Sequence, residues 1–422
     1  MRISLSRRVK SGIEWFLSPR GRDLFFALLG QAGPTVLQLI FFITTARILG
    51  AESTGIFFLI VAISVIGSAF VGFGSGGLVM REVSRDSKQA PHVFGQALGV
   101  SVVTYFVVFL PVMYGAWYVT DGLVAWWAIG LIASADLLAS RLLTTTWSLF
   151  VAKEEQLRAA AMICIMPLSR TIVSLFVFFV ETENRFQAFV IVYFISSFVT
   201  LLIVLHLVSK KIGKFTLSVR NFDYKSGSSF SLTWFNAAIQ SESEKVLLGL
   251  FGNPAMVAVY SIAMRLMDGA AMPPRAARVA VQARLFRSGV EGTKTIFKMT
   301  VKILPAVIIY GLIVWLGFYI LAPLVSKLFG TGFELLTSIL PILGLLPLLR
   351  GISEFGAEIF LSSDSPSIQA MTQTLVTIIR LGLGAFLISN FQINGAIYTG
   401  LIVTVISGSI LWSLAWIKSY TK

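Results

Sequence analysis

Charged side chains recur in this chain where apolar residues surround them, most densely between Asn236 and Arg287. That stretch reads as two long apolar helices joined at the turn Gly252-Asn253-Pro254, yet it carries Gln240, Glu242, Glu244, Lys245, Arg265, Asp268, Arg275 and Arg278. Asp136, Arg141, Arg170, Arg350 and Arg380 repeat the theme elsewhere. A charge within hydrocarbon costs about 2.5–3.5 kcal/mol on insertion scales, so such residues face a water-filled path or one another. A guanidinium stays charged, and its planar fork can donate two hydrogen bonds to neighbouring anionic oxygens. The chemistry on offer is anion binding inside a membrane. No nucleotide-binding loop, nucleophile elbow or metal-ligand spacing appears, so we expect no enzyme and no cofactor.

The elements that must position these residues are membrane helices. Of 422 residues, 56% are hydrophobic and 13% charged, with a mean hydropathy of +0.83, which excludes a soluble globular protein. One cysteine, Cys164, rules out an intramolecular disulfide, and His92 and His206 lie far apart. Continuous apolar windows of about 20 residues predict twelve spans: 24–49, 54–79, 93–115, 124–150, 159–180, 187–208, 229–252, 254–283, 299–324, 335–361, 367–389 and 395–417. A strand barrel would alternate instead. We number these spans one to twelve and expect an all-α polytopic membrane protein.

Lysine and arginine set the orientation. With the N-terminus inside, the inner segments hold 22 of them and the outer loops only Arg185 and Lys327; the remaining ten lie in or beside spans. The formal charge of +14 is thus mostly topological rather than a sign of nucleic-acid binding. The domains expected are a basic cytoplasmic segment 1–23, a six-helix lobe 24–208, a cytoplasmic loop 209–228, a second lobe 229–417 and a cytoplasmic tail 418–422.

The lobes look like repeats. Ile48-Leu49-Gly50 through Phe58 resembles Leu250-Phe251-Gly252 through Tyr260. Gly50 and Gly252 are 202 positions apart, Arg141 and Arg350 are 209, and Arg170 and Arg380 are 210. Six spans per repeat keep the topology the same, so the lobes should be related by a pseudo-twofold axis along the membrane normal, with substrate between them.

Ala46-Arg47-Ile48-Leu49-Gly50, Gly55-Ile56-Phe57, Phe73-Gly74-Ser75-Gly76 running into Arg81-Glu82, and Gly249-Leu250-Phe251-Gly252 through Arg265-Leu266 carry a family likeness. Phe329-Gly330-Thr331-Gly332-Phe333 and Asn394-Gly395-Ala396-Ile397 fit it too. The chain resembles Wzx-type oligosaccharide flippases of the multidrug/oligosaccharidyl-lipid/polysaccharide exporter superfamily over nearly its whole length. The resemblance implies a V-shaped pair of lobes in the bacterial inner membrane, moving an undecaprenyl-diphosphate-linked oligosaccharide repeat unit, such as that of O-antigen, to the outer leaflet by alternating access. It implies as partners that polyprenyl-linked oligosaccharide, membrane lipids and other polysaccharide-assembly proteins. Many relatives carry an aspartate ahead of the second-lobe Leu-Gly, where this chain has Glu244-Lys245, so coupling to a proton or sodium gradient at that point is open. The alternative within transport is a cation-coupled drug antiporter; that reading wants an acidic ion site in the first lobe, where span one has no carboxylate and Asp136 is the only one in the predicted spans. A glycan-processing membrane enzyme would need a long outer loop, and no outer loop exceeds roughly ten residues.

Against that background Arg141, Arg170 and Arg380 are the leading candidates for binding diphosphate, since no acid sits at i±3 or i±4. Arg265 with Asp268, and Arg350 with Glu354, could instead satisfy themselves along one helix. Arg275 and Arg278 follow Pro273-Pro274 and either line the cavity or snorkel inward. Asn236, Gln240, Ser243, Glu244 and Leu247 share a helical face, expected to line a lumen; with Lys245, Asp136 and Asp268 they are the sugar-contacting or coupling candidates. The charge bias makes a direct prediction. Reporter fusions at Asp121, Asn184, Asn253 and Asn390 should all read external, and two cytoplasmic readings would overturn the twelve-span topology.

Overall fold

The computed structural model describes residues 19–179, 184–289, 292–363 and 366–420. Most of the expected segment 1–23 and the end of the tail, Thr421 and Lys422, lie outside them. Nine helices among the described residues are long and apolar enough to cross a membrane. Two of these runs each hold two spans, folded at a corner: Gly50 (φ 73°) between spans one and two, and Gln392 (φ 48°) between eleven and twelve. Span seven, Tyr224–Phe251, carries too many charges to count by hydropathy. Twelve crossings result, and the fold is the expected all-α, two-lobe one.

Four spans are not the uninterrupted helices the apolar windows predicted. Span two stops at Ser68 and resumes as Ser75–Arg85; Gly72, Phe73 and Gly74 between them all have positive φ. Gly74 is required twice over: a Cβ there would also lie 2.2 Å from the Gly227 carbonyl oxygen of span seven. Span eight breaks at Ala271, between Pro254–Ala270 and Met272–Gly289, where Pro273 and Pro274 remove two backbone donors. Ala69 opens one break and Ala271 forms the other, 202 positions on, the same offset as the glycine corners. In span four, Ala135–Ser140 is a π-helical turn. In span ten, Gly344 and Leu345 separate Leu336–Leu343 from Leu346–Ser362; Ala135 and Gly344 are 209 apart. The inter-lobe connection is also shorter than expected, because span six runs on to Ile212 and span seven begins at Tyr224.

Freed carbonyls find donors, as buried backbone must. Ser231 Oγ donates to Ala69 O (2.7 Å), Arg141 Nε to Val71 O (3.0 Å) and Tyr310 Oη to Ala270 O (2.8 Å). The first of these crosses between the lobes.

The lobes meet most closely along the halves of spans two and eight that adjoin the Gly50 and Gly252 corners. Phe57, Phe58, Leu59 and Ile60 share one buried apolar core with Val257, Val259, Ile262 and Met267. A Cβ on Gly55 would lie 1.6 Å from Pro254 O, so only glycine lets the two helices approach this far. At the opposite end, Arg81 at the end of span two bonds Asp223 (2.8 Å) and Ser226 Oγ (2.9 Å) at the start of span seven. The connecting strand lies against span three, where Gln96 donates to Arg220 O (2.7 Å). The Ser226 hydroxyl, and then Arg81, hold the Asp223 carboxyl well below the usual carboxylate range. A depressed carboxyl strengthens this clasp above the usual carboxylate pKa and releases it as pH falls.

The Gly55 contact predicts a defined phenotype. Gly55→Val should overpack the seam, at about 1–3 kcal/mol, and bias the protein toward an outward-open form. With Cys164 replaced by alanine and a reporter Ser261→Cys in the cavity wall, a membrane-impermeant thiol reagent added outside should label the Gly55→Val variant faster. Unchanged labelling would show that this contact is not the outer seal.

Candidate functional site

Three cavities run along span seven and share lining residues with one another. The largest, about 450 Å³, lies between the lobes, walled by Val65, Ser68 and Arg141 on one side and Trp234, Ala237 and Ser241 on the other. Through Val65, Asp136 and Ser140 it joins a cavity of about 220 Å³ holding Arg170, Tyr193, Glu242, Lys245 and Arg265. Through Ala237 and Ser241 it joins a third, of about 320 Å³, inside the second lobe, with Gln240, Asp268, Arg275, Arg350, Glu354 and Arg380. Volumes of this order are typical of small-molecule sites.

Most cations here are matched by carboxylates from other spans. Arg170 Nη2 reaches Asp136 (3.1 Å) across from span five to span four, while its Nε bonds Ser197 (2.9 Å) and its guanidinium lies 4.1 Å over the Tyr193 ring. Tyr193 Oη in turn donates to Asp136 (2.9 Å). The π-helical turn at Ala135–Ser140 turns Asp136 toward these partners, a common use of such turns. In the second lobe, Arg380 Nε bonds Glu244 (2.7 Å) and its Nη1 donates to Gln240 O (2.5 Å). Both Arg170 and Arg380 were expected to lack an acid. Same-helix spacing could not reveal partners one or four spans away.

The pairing of spans eight and ten also differs from the same-helix expectation. Asp268 pairs with Arg350 (2.7 Å), not Arg265. Glu354 pairs with Arg275 (3.2 Å), not Arg350, and Arg278 binds Glu358 (2.9 Å), whose side chain is fully buried. Arg278 therefore faces protein rather than snorkelling. Glu242, with no partner evident from sequence, bonds Lys245 at i,i+3 (2.6 Å).

Span seven is turned from the expected orientation. Its polar stripe packs on span eleven: Gln240 donates to Thr377 Oγ1 (2.8 Å), Glu244 holds Arg380, and Leu247 lies against Gly384. Gln240 still borders the second-lobe cavity, whereas half-buried Asn236 borders none of the three. Trp234, Ala237, Ser241 and Lys245 face the cavities instead. Trp234 and Tyr193 are the residues sequence reasoning missed. Trp234 lies seven positions before Ser241, two turns along one helical face; Tyr193 sits in an uninterrupted apolar run and gives no signal.

Two cavity cations remain. Among the described residues, neither Arg141 nor Arg265 has a carboxylate within ion-pair distance. Arg265 lies 5.3 Å over the Phe42 ring. Arg141 lies 5.4 Å over Trp234, and its buried Nη2 has no hydrogen-bond partner.

A family model described as polysaccharide biosynthesis protein matches residues 21–283. The chain belongs to that family. The match spans the whole first lobe and span seven and reaches into span eight, so it includes all the residues around the inter-lobe cavity. No curated protein matches this chain. Its fold is similar to a multidrug resistance MATE family transporter of the MOP superfamily in an inward-facing conformation. The TM-score is 0.73, at 14% identity over 94% of this chain and 98% of that one. The outward-facing form of such a transporter gives 0.64, at 14% identity and 95% of each chain. A MOP superfamily transporter from Pyrococcus furiosus, described for the reverse polarity of its binding pocket, gives 0.66 at 13% identity over 94% of each chain. These likenesses show the fold, and the nine long apolar helices among the described residues make it that of a multi-pass membrane protein.

The buried pairs predict a stability signature. Glu244 and Arg380 side chains are 3% and 8% exposed, so removing one partner strands the other's charge, at about 3–5 kcal/mol. Glu244→Gln or Arg380→Met alone should lower the melting temperature in detergent far more than the double variant does. Additive losses would show that the two do not act as a pair.

Proposed function

We propose that this protein is a flippase for a polyprenyl-diphosphate-linked oligosaccharide, carrying the repeat unit of a surface polysaccharide across the bacterial inner membrane with both termini cytoplasmic. The observation that supports this reading is the charge remaining once the cavity's ion pairs are matched: Arg141 and Arg265, and no carboxylate for either. A lipid diphosphate diester carries two negative charges, so one substrate molecule neutralises the two cations. Both sit in cavities that touch the two lobes, where a ligand is handed from one face to the other by rocking. Arg170, Arg275, Arg350 and Arg380 serve chiefly to hold each lobe rigid, and all four also border the cavities. The membership in a polysaccharide biosynthesis family agrees with such a cargo.

Asp136 is the acid that would couple transport to a proton or sodium gradient in the first lobe, being the carboxylate of the inter-lobe cavity. Tyr193 Oη and Arg170 Nη2 both donate to it.

Replacing both Arg141 and Arg265 by glutamine removes charge-assisted hydrogen bonds of about 1.5–3 kcal/mol each, tenfold or more per residue. Surface polysaccharide should fall accordingly, and lipid-linked sugar should accumulate facing inward. Lysine at both positions should rescue only partly, having lost the fork. Wild-type export by the double glutamine variant at normal protein levels would remove both arginines from the mechanism. Efflux of organic cations by the wild type, without flipping of lipid-linked sugar, would favour the antiporter.

A further inference from the structure

Resting on the flippase reading, we propose that the inter-lobe cavity of about 450 Å³ is a glycosyl-phosphate subsite: Arg141 takes the phosphate and the Trp234 indole stacks the first sugar ring. Arg141 is 6% exposed, and its Nε is spent on Val71 O (3.0 Å). Its Nη2 is a buried donor without an acceptor, an arrangement that costs about as much as a lost hydrogen bond unless a ligand supplies one. Trp234, which lies 5.4 Å from that guanidinium, is 41% exposed although it sits within a helix that faces protein on its other side. An indole beside a cation with a free N–H presents an apolar face next to an anion site. A sugar ring on a phosphate has the complementary shape: C–H groups on one face, and negative oxygens at one end.

The hydroxyls around the cavity agree. Ser68 donates to Val65 O (2.7 Å), Thr144 to Ser140 O (2.9 Å) and Ser241 to Ala238 O (3.1 Å). Ser140 donates to Asp136 (3.1 Å) and already accepts from Arg170 Nη2 (3.0 Å), which leaves it one lone pair. Each spends its single proton on its own helix, and what remains at each oxygen is acceptor capacity. A polyol, which brings donors, suits such a wall. The cavity therefore offers a donor to an anion, acceptors to hydroxyls and an aromatic face to C–H groups. Arg141 belongs to span four and Trp234 to span seven, so a ligand holding both ties the two lobes together through its phosphate and first sugar.

The experiment is a calorimetric titration of the full-length protein in detergent with two diphosphate diesters of equal charge, farnesyl diphosphate capped by a methyl group and farnesyl diphosphate capped by one hexose. Wild type should bind the glycosylated lipid roughly tenfold more tightly, the scale of one aromatic contact. Trp234→Leu, which keeps bulk but has no π face, should bring that ratio close to one, and Trp234→Phe should keep most of it. The phenylalanine variant guards against a mere loss of fold. A ratio that survives in Trp234→Leu would overturn the stacking role. A ratio near one in wild type, with both lipids bound, would overturn this subsite while leaving the flippase reading intact. Binding of neither lipid by wild type would count against the flippase reading itself.

Discussion

An ionised group inside a membrane protein must find an opposite charge, a hydrogen-bonding wall or water, and most of this interior follows from that requirement. Five cavity cations satisfy it with carboxylates on neighbouring helices of the same lobe or, for Lys245, on the same helix. Such pairs are poor sources of net stability, since desolvation offsets most of their attraction. Their effect is to fix helix against helix, because separating the partners strands two charges at once. Each lobe is thereby stiffened by its own pairs: span four to five through Asp136, seven to eleven through Glu244, eight to ten through Asp268, Glu354 and Glu358. None of these pairs crosses between lobes.

Backbone breaks do complementary work. An unbroken helix offers no free carbonyl, so the turns at 69–74 and at Ala271 create acceptors deep in the protein. Arg141 uses one, and Arg350 binds Asp268 just before the other. The two arginines and the two breaks recur at offsets of 209 and 202, so the repeat is preserved in its irregularities as well as in its helices. Where the lobes differ is in the acid opposite the span-five and span-eleven arginines. It comes from span four in the first lobe and span seven in the second, which leaves the first-lobe side with Asp136 beside the inter-lobe cavity.

The number of spans, the lobes and the all-α class were legible because hydropathy and loop charge are local properties of the chain. The corners at Gly50 and Gln392 were placed correctly within a few residues for the same reason. Pairing was not legible. Arg170 and Asp136 are 34 positions apart and Arg380 and Glu244 are 136, distances that only the packed helices resolve. The rotation of span seven was misjudged because its polar stripe was assumed to face water. That stripe instead satisfies the polar groups of span eleven, and the less polar side with Trp234 and Ser241 faces the cavity. The breaks at Ala271 and at 69–74 had visible signals in Pro273-Pro274 and in the glycines at 72 and 74. The π-helical turn at Ala135–Ser140 had none.

Stiff lobes joined by a seam of a different kind have a mechanical consequence. The seam along spans two and eight is built from apolar contact and a glycine that admits Pro254, with exposed Arg47 Nε donating to Leu328 O (2.8 Å) nearby and no ion pair across it among the described residues. Parting apolar surfaces strands no charge, whereas parting a buried ion pair leaves two unpaired charges in a low-dielectric interior. The inner clasp of Arg81 with Asp223 and Ser226 does involve charge, but both side chains are solvated, at 29% and 45% exposure, where such a bridge contributes little. The interior is thus weakest between the lobes and strongest within them. A displacement that conserves every buried pair can only be one in which the lobes move as bodies, and the cations left without acids, Arg141 and Arg265, lie in the cavities along the surface that such a movement opens.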